Sequence, residues 1–276
     1  MDIRLVALDL DGTLLDSHKH LSDRNRRALE ACIAKGVYVV PCTGRTAQGI
    51  PEAIRSISGI RYAITINGGM IEDAQEQIVL DRRLMEKEIA LDIIEQVKGF
   101  HVMYDIYADG EGISEERFYN HLDEYKITEE IQKLVKKTRR VVPSIIEYVK
   151  YKEGMVDKVN LFFSDLNERK NAWELLKKRN DVLVTSSLYN NLEINGLGAS
   201  KGDALLRLAS MLNLPRESTM ACGDGDNDFS MIRLAGIGVA MGNGEEKIKE
   251  IADYVTGSND ESGVAQAIEA LILDES

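Results

Sequence analysis

The sequence predicts an α/β protein, a doubly wound and mainly parallel sheet interrupted by an inserted α+β domain. Three observations carry that expectation. Short apolar runs near the N-terminus each stop at small or polar residues, as strands buried on both faces of a parallel sheet do. A helical segment separates the first two, and strand–helix–strand order calls for right-handed crossovers. Between about 82 and 189 the texture changes to amphipathic helices and alternating strands, after which the apolar runs return.

The first run, Val6 to Leu10, carries Asp9 and Asp11 at its end, and Gly12 breaks it. An ionised carboxylate inside such a strand costs several kcal/mol unless something pairs with it. Both acids are therefore expected at the strand's C-terminal end, where open α/β sheets bind ligands. "SDRNRRALEACIAKG" reads as a helix capped by Ser22 or Asp23 and ended by Gly36. "VYVVPCTG" is the second strand, and "RYAITINGG" the third, stopping at Asn67-Gly68-Gly69.

In the insertion, "KEIALDIIEQVKG" places Ile89, Ile93 and Val97 on one helical face. "HVMYDIYADG" alternates, with Val102, Tyr104 and Ile106 on one side, as a half-exposed antiparallel strand would. A charged helix around "ITEEIQKLVKKT" and a strand "VDKVNLFFSD" follow. Asp165 and Glu168 have the spacing of a capping box opening the next helix, and "DVLVTSS" with "NNLEING" makes a short strand pair. Trp173 and Tyr104 read as core residues of this part. "STMACGDGDND", "GIGVAMGNG" and "DYVT" are then the returning apolar strands.

The 276 residues, 44% hydrophobic and 29% charged, suit one large domain or two modest ones. With 34 Lys+Arg against 46 Asp+Glu, the net charge of −12 repels nucleic-acid backbones and anionic lipid. A phosphorylated ligand would need a local cation. No apolar stretch approaches the roughly 20 residues of a membrane span, and "MDIRLVALDLDG" lacks a signal-peptide layout, so a cytoplasmic protein is expected. The three cysteines, Cys32, Cys42 and Cys222, form no C-x-x-C pair and read as small core residues.

Chemistry-bearing residues collect at four strand ends. Asp9 and Asp11 are the first pair. Thr43, followed by Gly44, offers a hydroxyl and an unobstructed backbone N–H to a phosphate oxygen. Lys201 falls in the first turn of a helix capped by Ser200, where its charge opposes the helix dipole by a few tenths of a kcal/mol or more. That placement suits a lysine facing an anion or carboxylate pair, and its removal is expected to change stability little or favourably. Asp224, Asp226 and Asp228 crowd around Asn227 in "GDGDNDFSMI" and repel one another unless a cation is present. Singly, these are a turn, a solvated lysine and a helix cap. An EF-hand loop is excluded by the missing Glu, and the glycines lack G-x-G-x-x-G spacing.

In this order, "DLDGTL", "TGR", Lys201 and "GDGDND" resemble the haloacid dehalogenase superfamily of phosphohydrolases, and more narrowly its Cof-type members with a type II cap of subtype B. "INGG", "LEING" before "ASKG" and "GVAMGNGEEK" add to the resemblance. The cap is matched by layout rather than by motif. The resemblance implies a Rossmann-like catalytic core at 1–82 and 190–276 and an inserted substrate-specificity cap at 83–189, with hinges near Asp81-Arg82-Arg83 and Asn190-Asn191. It implies a Mg²⁺-dependent phosphatase acting on small phosphorylated metabolites, sugar phosphates foremost, through an aspartyl phosphate. Asp9 would be the nucleophile and Asp11 the general acid and base, keeping a proton near neutral pH because other carboxylates surround it. Mg²⁺ would be held by Asp9, the Asp11 carbonyl, Asp224 and Asp228. Leu10, Thr43, Gly44, Lys201 and Asn227 would grip the phosphoryl oxygens. The implied protein is a monomer or small homo-oligomer. A phosphomutase of the same superfamily, or a nonenzymatic phosphometabolite-binding regulator, shares part of the pattern. Arg45 reads equally as an ion-pair partner or a substrate contact, and His18 and His20 read as exposed flap residues.

Overall fold

The computed structural model describes residues 2–274, the side chain of Glu130 excepted. Tertiary contacts divide the chain into two units, one comprising residues up to Arg82 and from Ser200 onward, the other Arg83–Ala199. The first unit begins with strands β1 (Leu5–Leu8), β2 (Tyr38–Pro41), β3 (Tyr62–Thr65), β4 (Met70–Asp73) and β5 (Ile78–Arg82). The second holds β6 (Val102–Ala108), β7 (Glu111–Glu115), β8 (Arg139–Val142), β9 (Lys158–Phe163), β10 (Val182–Thr185) and β11 (Asn191–Gly196). The chain then returns to the first unit with β12 (Thr219–Gly223), β13 (Ile237–Ala240) and β14 (Tyr254–Val255).

In the first unit the order is β14-β13-β12-β1-β2, every pair parallel. All four residues of β1 are buried, and they alternate between two cores. Val6 and Leu8 meet Ala28, Leu29 and Cys32 of the helix Asp23–Ala34 together with Val264 and Ile268. Leu5 and Ala7 meet Ala204, Leu205 and Leu208 of the helix Lys201–Met211 and Met231 of the helix Phe229–Leu234. Helices on both faces make the sheet doubly wound. The chain runs from β1 to β2 on one side and places β12 on the other, so the strand order reverses at β1, the place where such sheets bind ligands.

The third strand departs from expectation. β3 meets the residue after β2 in the isolated bridge Cys42↔Ile64 and opens an antiparallel three-stranded sheet, β3-β4-β5. β4 and β5 were not foreseen, because "MIED" and "IVLDR" are short and mix apolar with acidic residues.

The second unit is a six-stranded sheet, β10-β11-β9-β6-β7-β8, antiparallel except for the β7–β8 pair. Because β11 pairs with both β9 and β10, the chain leaves this unit after Ala199 rather than at 190. β6 alternates as expected, but all seven residues are buried. Its polar side is closed by Arg139, whose guanidinium donates to Asp105 Oδ2 at 3.0 Å and to the Tyr107 hydroxyl at 2.5 Å. The expected capping box is also absent. Asp165 accepts from Asn167 N, while Glu168 accepts from His101 N. Tyr104 lies in the core and Trp173 packs half-buried against it. All three cysteines are buried free thiols. Among the described residues, no helix is long and apolar enough to cross a membrane.

The helix Lys201–Met211 starts where expected, with the Ser200 hydroxyl accepting from Asp203 N. Its first turn is pressed against the helix Phe229–Leu234: Gly202 N donates to Ser230 Oγ at 3.0 Å, and a Cβ on Gly202 would run into the Ser230 carbonyl. Gly202→Ala is therefore expected to push the helices apart, carrying Lys201 with them, and to destabilise the protein by about 1–3 kcal/mol. Thermal unfolding checks this, and an unchanged melting temperature would contradict it.

Candidate active site

Asp9 continues β1 by one residue, its N–H donating to Cys222 O at 3.0 Å, so its carboxylate emerges where β1 and β12 end side by side. The Lys201 ammonium, with 0% of its side chain exposed, lies 2.5 Å from Asp9 Oδ1 and 2.6 Å from Asp228 Oδ1. Asp228 Oδ2 accepts from Asp224 N at 2.9 Å and Gly225 N at 3.0 Å. Asp224 Oδ1 accepts from the Thr13 hydroxyl at 2.6 Å. One carboxylate oxygen from each of Asp9, Asp224 and Asp228 lies within 4.8 Å of the other two.

One lysine does not neutralise three acids. Burial, then the charges of Asp228 and Asp224, push Asp9 well above the usual carboxylate range against the pull of Lys201. Burial and Asp228 push Asp224 up to about 7, although Thr13 and Lys201 pull it down. Burial would lower Lys201, but Asp228 and Asp9 outweigh it and hold the ammonium charged. An all-oxygen donor set with unrelieved negative charge fits a hard divalent cation such as Mg²⁺. The fully buried ammonium also corrects the expectation that losing Lys201 is cheap. Its removal would strand two buried acids, which outweighs relief of the helix dipole.

Asp11 stands apart. Its carboxylate accepts from Arg45 Nε at 2.8 Å and Nη2 at 2.7 Å, and Lys19 Nζ is 2.8 Å away. Burial alone would raise its pKa, but Arg45 first and then Lys19 lower it to about 2. The expectation that Asp11 keeps a proton near neutrality is thus overturned, because its immediate neighbours are cations rather than carboxylates. Arg45 is an ion-pair partner here. Asp226 pairs with Lys247 at 2.6 Å, outside the acid cluster. His18 and His20 are exposed, as expected.

On the other flank, Thr43 is 1% exposed; its N–H donates to Ile64 O at 2.9 Å and its hydroxyl accepts from Arg45 N at 3.2 Å. Asn227, also buried, donates to Asn67 Oδ1 at 3.3 Å. Leu10 is buried in the turn after β1, its carbonyl accepting from Leu15 N at 2.9 Å. Three contributors, Thr13, Lys19 and Asn67, had no role assigned from sequence. Thr13 could have been sought in "DGT"; Asn67 was legible only as the end of a strand, within "INGG".

A family model described as haloacid dehalogenase-like hydrolase matches residues 6–268. The chain belongs to this family. It is 34% identical over 99% of its length to 97% of a Bacillus subtilis protein named 5-amino-6-(5-phospho-D-ribitylamino)uracil phosphatase. It is 28% identical over 97% of its length to 98% of an Escherichia coli protein named pyridoxal phosphate phosphatase. A haloacid dehalogenase-like hydrolase structure from B. subtilis superposes with a TM-score of 0.86 at 31% identity, covering 98% of this chain and all of that one. As a haloacid dehalogenase-like hydrolase with phosphatase relatives along its whole length, it is a phosphoric monoester hydrolase acting on phosphorylated small molecules.

The acid crowding has a consequence for stability. An unfolded Asp titrates near 3.8, whereas burial and Asp228 raise the folded Asp224 carboxyl to about 7. Across that interval the folded chain holds a proton that the unfolded chain has released, so this group's contribution to stability falls as pH rises. In chelator, Asp224→Asn is expected to gain on wild type between about pH 4 and about pH 7, by at most ~1.4 kcal/mol per unit. Denaturant unfolding at several pH values tests this. A pH-independent difference would contradict it.

Proposed function

We propose that this hydrolase is a Mg²⁺-dependent phosphatase of small phosphorylated metabolites, sugar phosphates among them, working through an aspartyl phosphate on Asp9. The observation that carries the reading is the buried Lys201 ammonium within hydrogen-bond reach of both Asp9 and Asp228. It pulls against the burial and the neighbouring acids that raise Asp9's proton affinity, it aims the carboxylate, and its charge would face the phosphoryl oxygens. Asp9, Asp224 and Asp228, with the Asp11 carbonyl, would hold Mg²⁺, which when bound supplies positive charge to the carboxylates and the transferring phosphoryl group.

An Asp9 oxygen attacks phosphorus as the bond to the leaving oxygen breaks, and that oxygen takes a proton. Water then attacks phosphorus, losing a proton, and Asp9 is released with inorganic phosphate. Asp11 serves both proton transfers. As an ionised carboxylate it is ready for the second. For the first it must take up a proton, which requires Arg45 and Lys19 to turn from it toward the arriving phosphate ester. Thr43, the Gly44 and Leu10 backbone and Asn227 complete the phosphoryl seat, where positioning and electrostatics do most of the catalysis.

The ester is the open choice, and the relatives suggest the panel. It would include the phosphoribitylaminouracil and pyridoxal phosphate of their names, together with hexose and pentose phosphates. The second unit is proposed to select among them, and removing Arg83–Ala199 is expected to change the preference order. Asp9→Asn should abolish turnover of every ester, and chelation of Mg²⁺ should do the same in wild type, with Ca²⁺ a poor replacement. Release of inorganic phosphate is the measurement. Sustained hydrolysis by Asp9→Asn, or by wild type in excess chelator, would overturn the mechanism.

A further inference from the structure

The turn after β3 is built against the usual backbone rules. Ile66 and Asn67 have φ of 52° and 54°, consecutive left-handed residues that are not glycine, and both are almost wholly buried. A β-branched residue there is a rare outlier, and such strain persists only where its surroundings over-determine it.

Three of the four chemical strand ends supply those surroundings. Ile66 N donates to Arg45 O at 3.0 Å and Asn67 N to Thr43 O at 3.0 Å, which ties the turn to the Thr43-Gly44 loop. Asn67 Oδ1 accepts from the Asn227 amide at 3.3 Å, and a Cβ on Gly44 would lie 2.7 Å from that same oxygen. Gly68 O accepts from Arg207 of the lysine-bearing helix at 3.0 Å, and a Cβ on Gly68 would lie 3.0 Å from Lys201 N. One turn thus touches the elements that carry Thr43 and Gly44, Asn227, and Lys201.

We propose that Asn67 is a positioning residue for phosphoryl transfer, its side-chain oxygen fixing the Asn227 amide against the Gly44 backbone so that both face one phosphoryl oxygen. This rests on the phosphatase reading above and adds a residue to it. Asparagine suits the position because it tolerates left-handed backbone and carries an acceptor that reaches its neighbour. The strained backbone then serves to present the amide, whereas a purely structural turn would be served as well by glycine.

That contrast supplies the test. Asn67→Gly keeps the left-handed turn, relieves the strain at that one position and deletes the amide. The expected result is a folded enzyme whose kcat for a simple aryl phosphate falls about 10- to 100-fold, the scale on which outer partners of a site act. KM should move less than kcat, and affinity for orthovanadate, which mimics the transferring phosphoryl group, should fall in step with kcat/KM. Asn67→Asp keeps the shape and the acceptor but adds negative charge beside the phosphate. It should raise KM and serves as the second variant should the glycine protein fold poorly. Wild-type kcat, KM and vanadate affinity in a folded variant would overturn the role of Asn67 while leaving the phosphatase reading standing. Failure of the wild-type enzyme to hydrolyse any phosphate ester would overturn both.

Discussion

The Lys201 ammonium, buried between Asp9 and Asp228, is the interaction on which the rest of the site depends. Two carboxylates and an ammonium without solvent are costly to assemble, and they persist only because each ion satisfies the others. The arrangement requires β1 and β12 to end together and the helix beginning at Lys201 to lie against their tips. Gly202 permits this by letting that helix approach the one after the acid cluster. Core packing and site geometry are therefore one constraint: the apolar residues that seat the helix also set where the ammonium falls.

A second electrostatic centre sits beside the first with the opposite balance. Around Asp9 and Asp224, acids outnumber cations and protons bind too tightly; around Asp11, Arg45 and Lys19 outnumber the acid and drive the proton off. Environments that push neighbouring carboxylates apart in proton affinity are how a site assigns them different work. Under the proposed function, a divalent cation would match the excess negative charge at the first centre, and the phosphate ester the excess positive charge at the second. On this account metal and substrate complete a charge balance that the polypeptide leaves open.

Much of this was legible in the sequence because strand ends in a parallel sheet are written locally. Apolar runs stop, and the residues that follow form the candidate site; Asp9, Thr43 and Asp228 are legible this way, and Lys201 from the helix start after Ser200. What escaped depends on contacts distant in sequence. β11 reads as a strand wherever it stands, and only pairing with β9 and β10 assigns it to the second unit. β6 alternates as an exposed strand would, but Arg139, more than thirty residues on, closes its polar side. The protonation of Asp11 was misjudged because the acids are close in the pattern, whereas its cations reach it from a loop and from the turn after β2. Asn67 is legible only within "INGG", a stretch that adds to the resemblance without giving the residue a role. Its backbone angles and its distances to Asn227 and Gly44 exist only in the folded chain.

Lys201→Met tests the central claim most directly, because it removes the charge while keeping most of the apolar length. With Asp9 and Asp228 left facing each other in a buried site, metal-free protein at neutral pH should lose about 3–5 kcal/mol of stability. Turnover should be lost as well. Denaturant unfolding of the two proteins in chelator measures the first quantity. A variant as stable as wild type, or more so, would show that the acids tolerate one another without the lysine and would contradict the account.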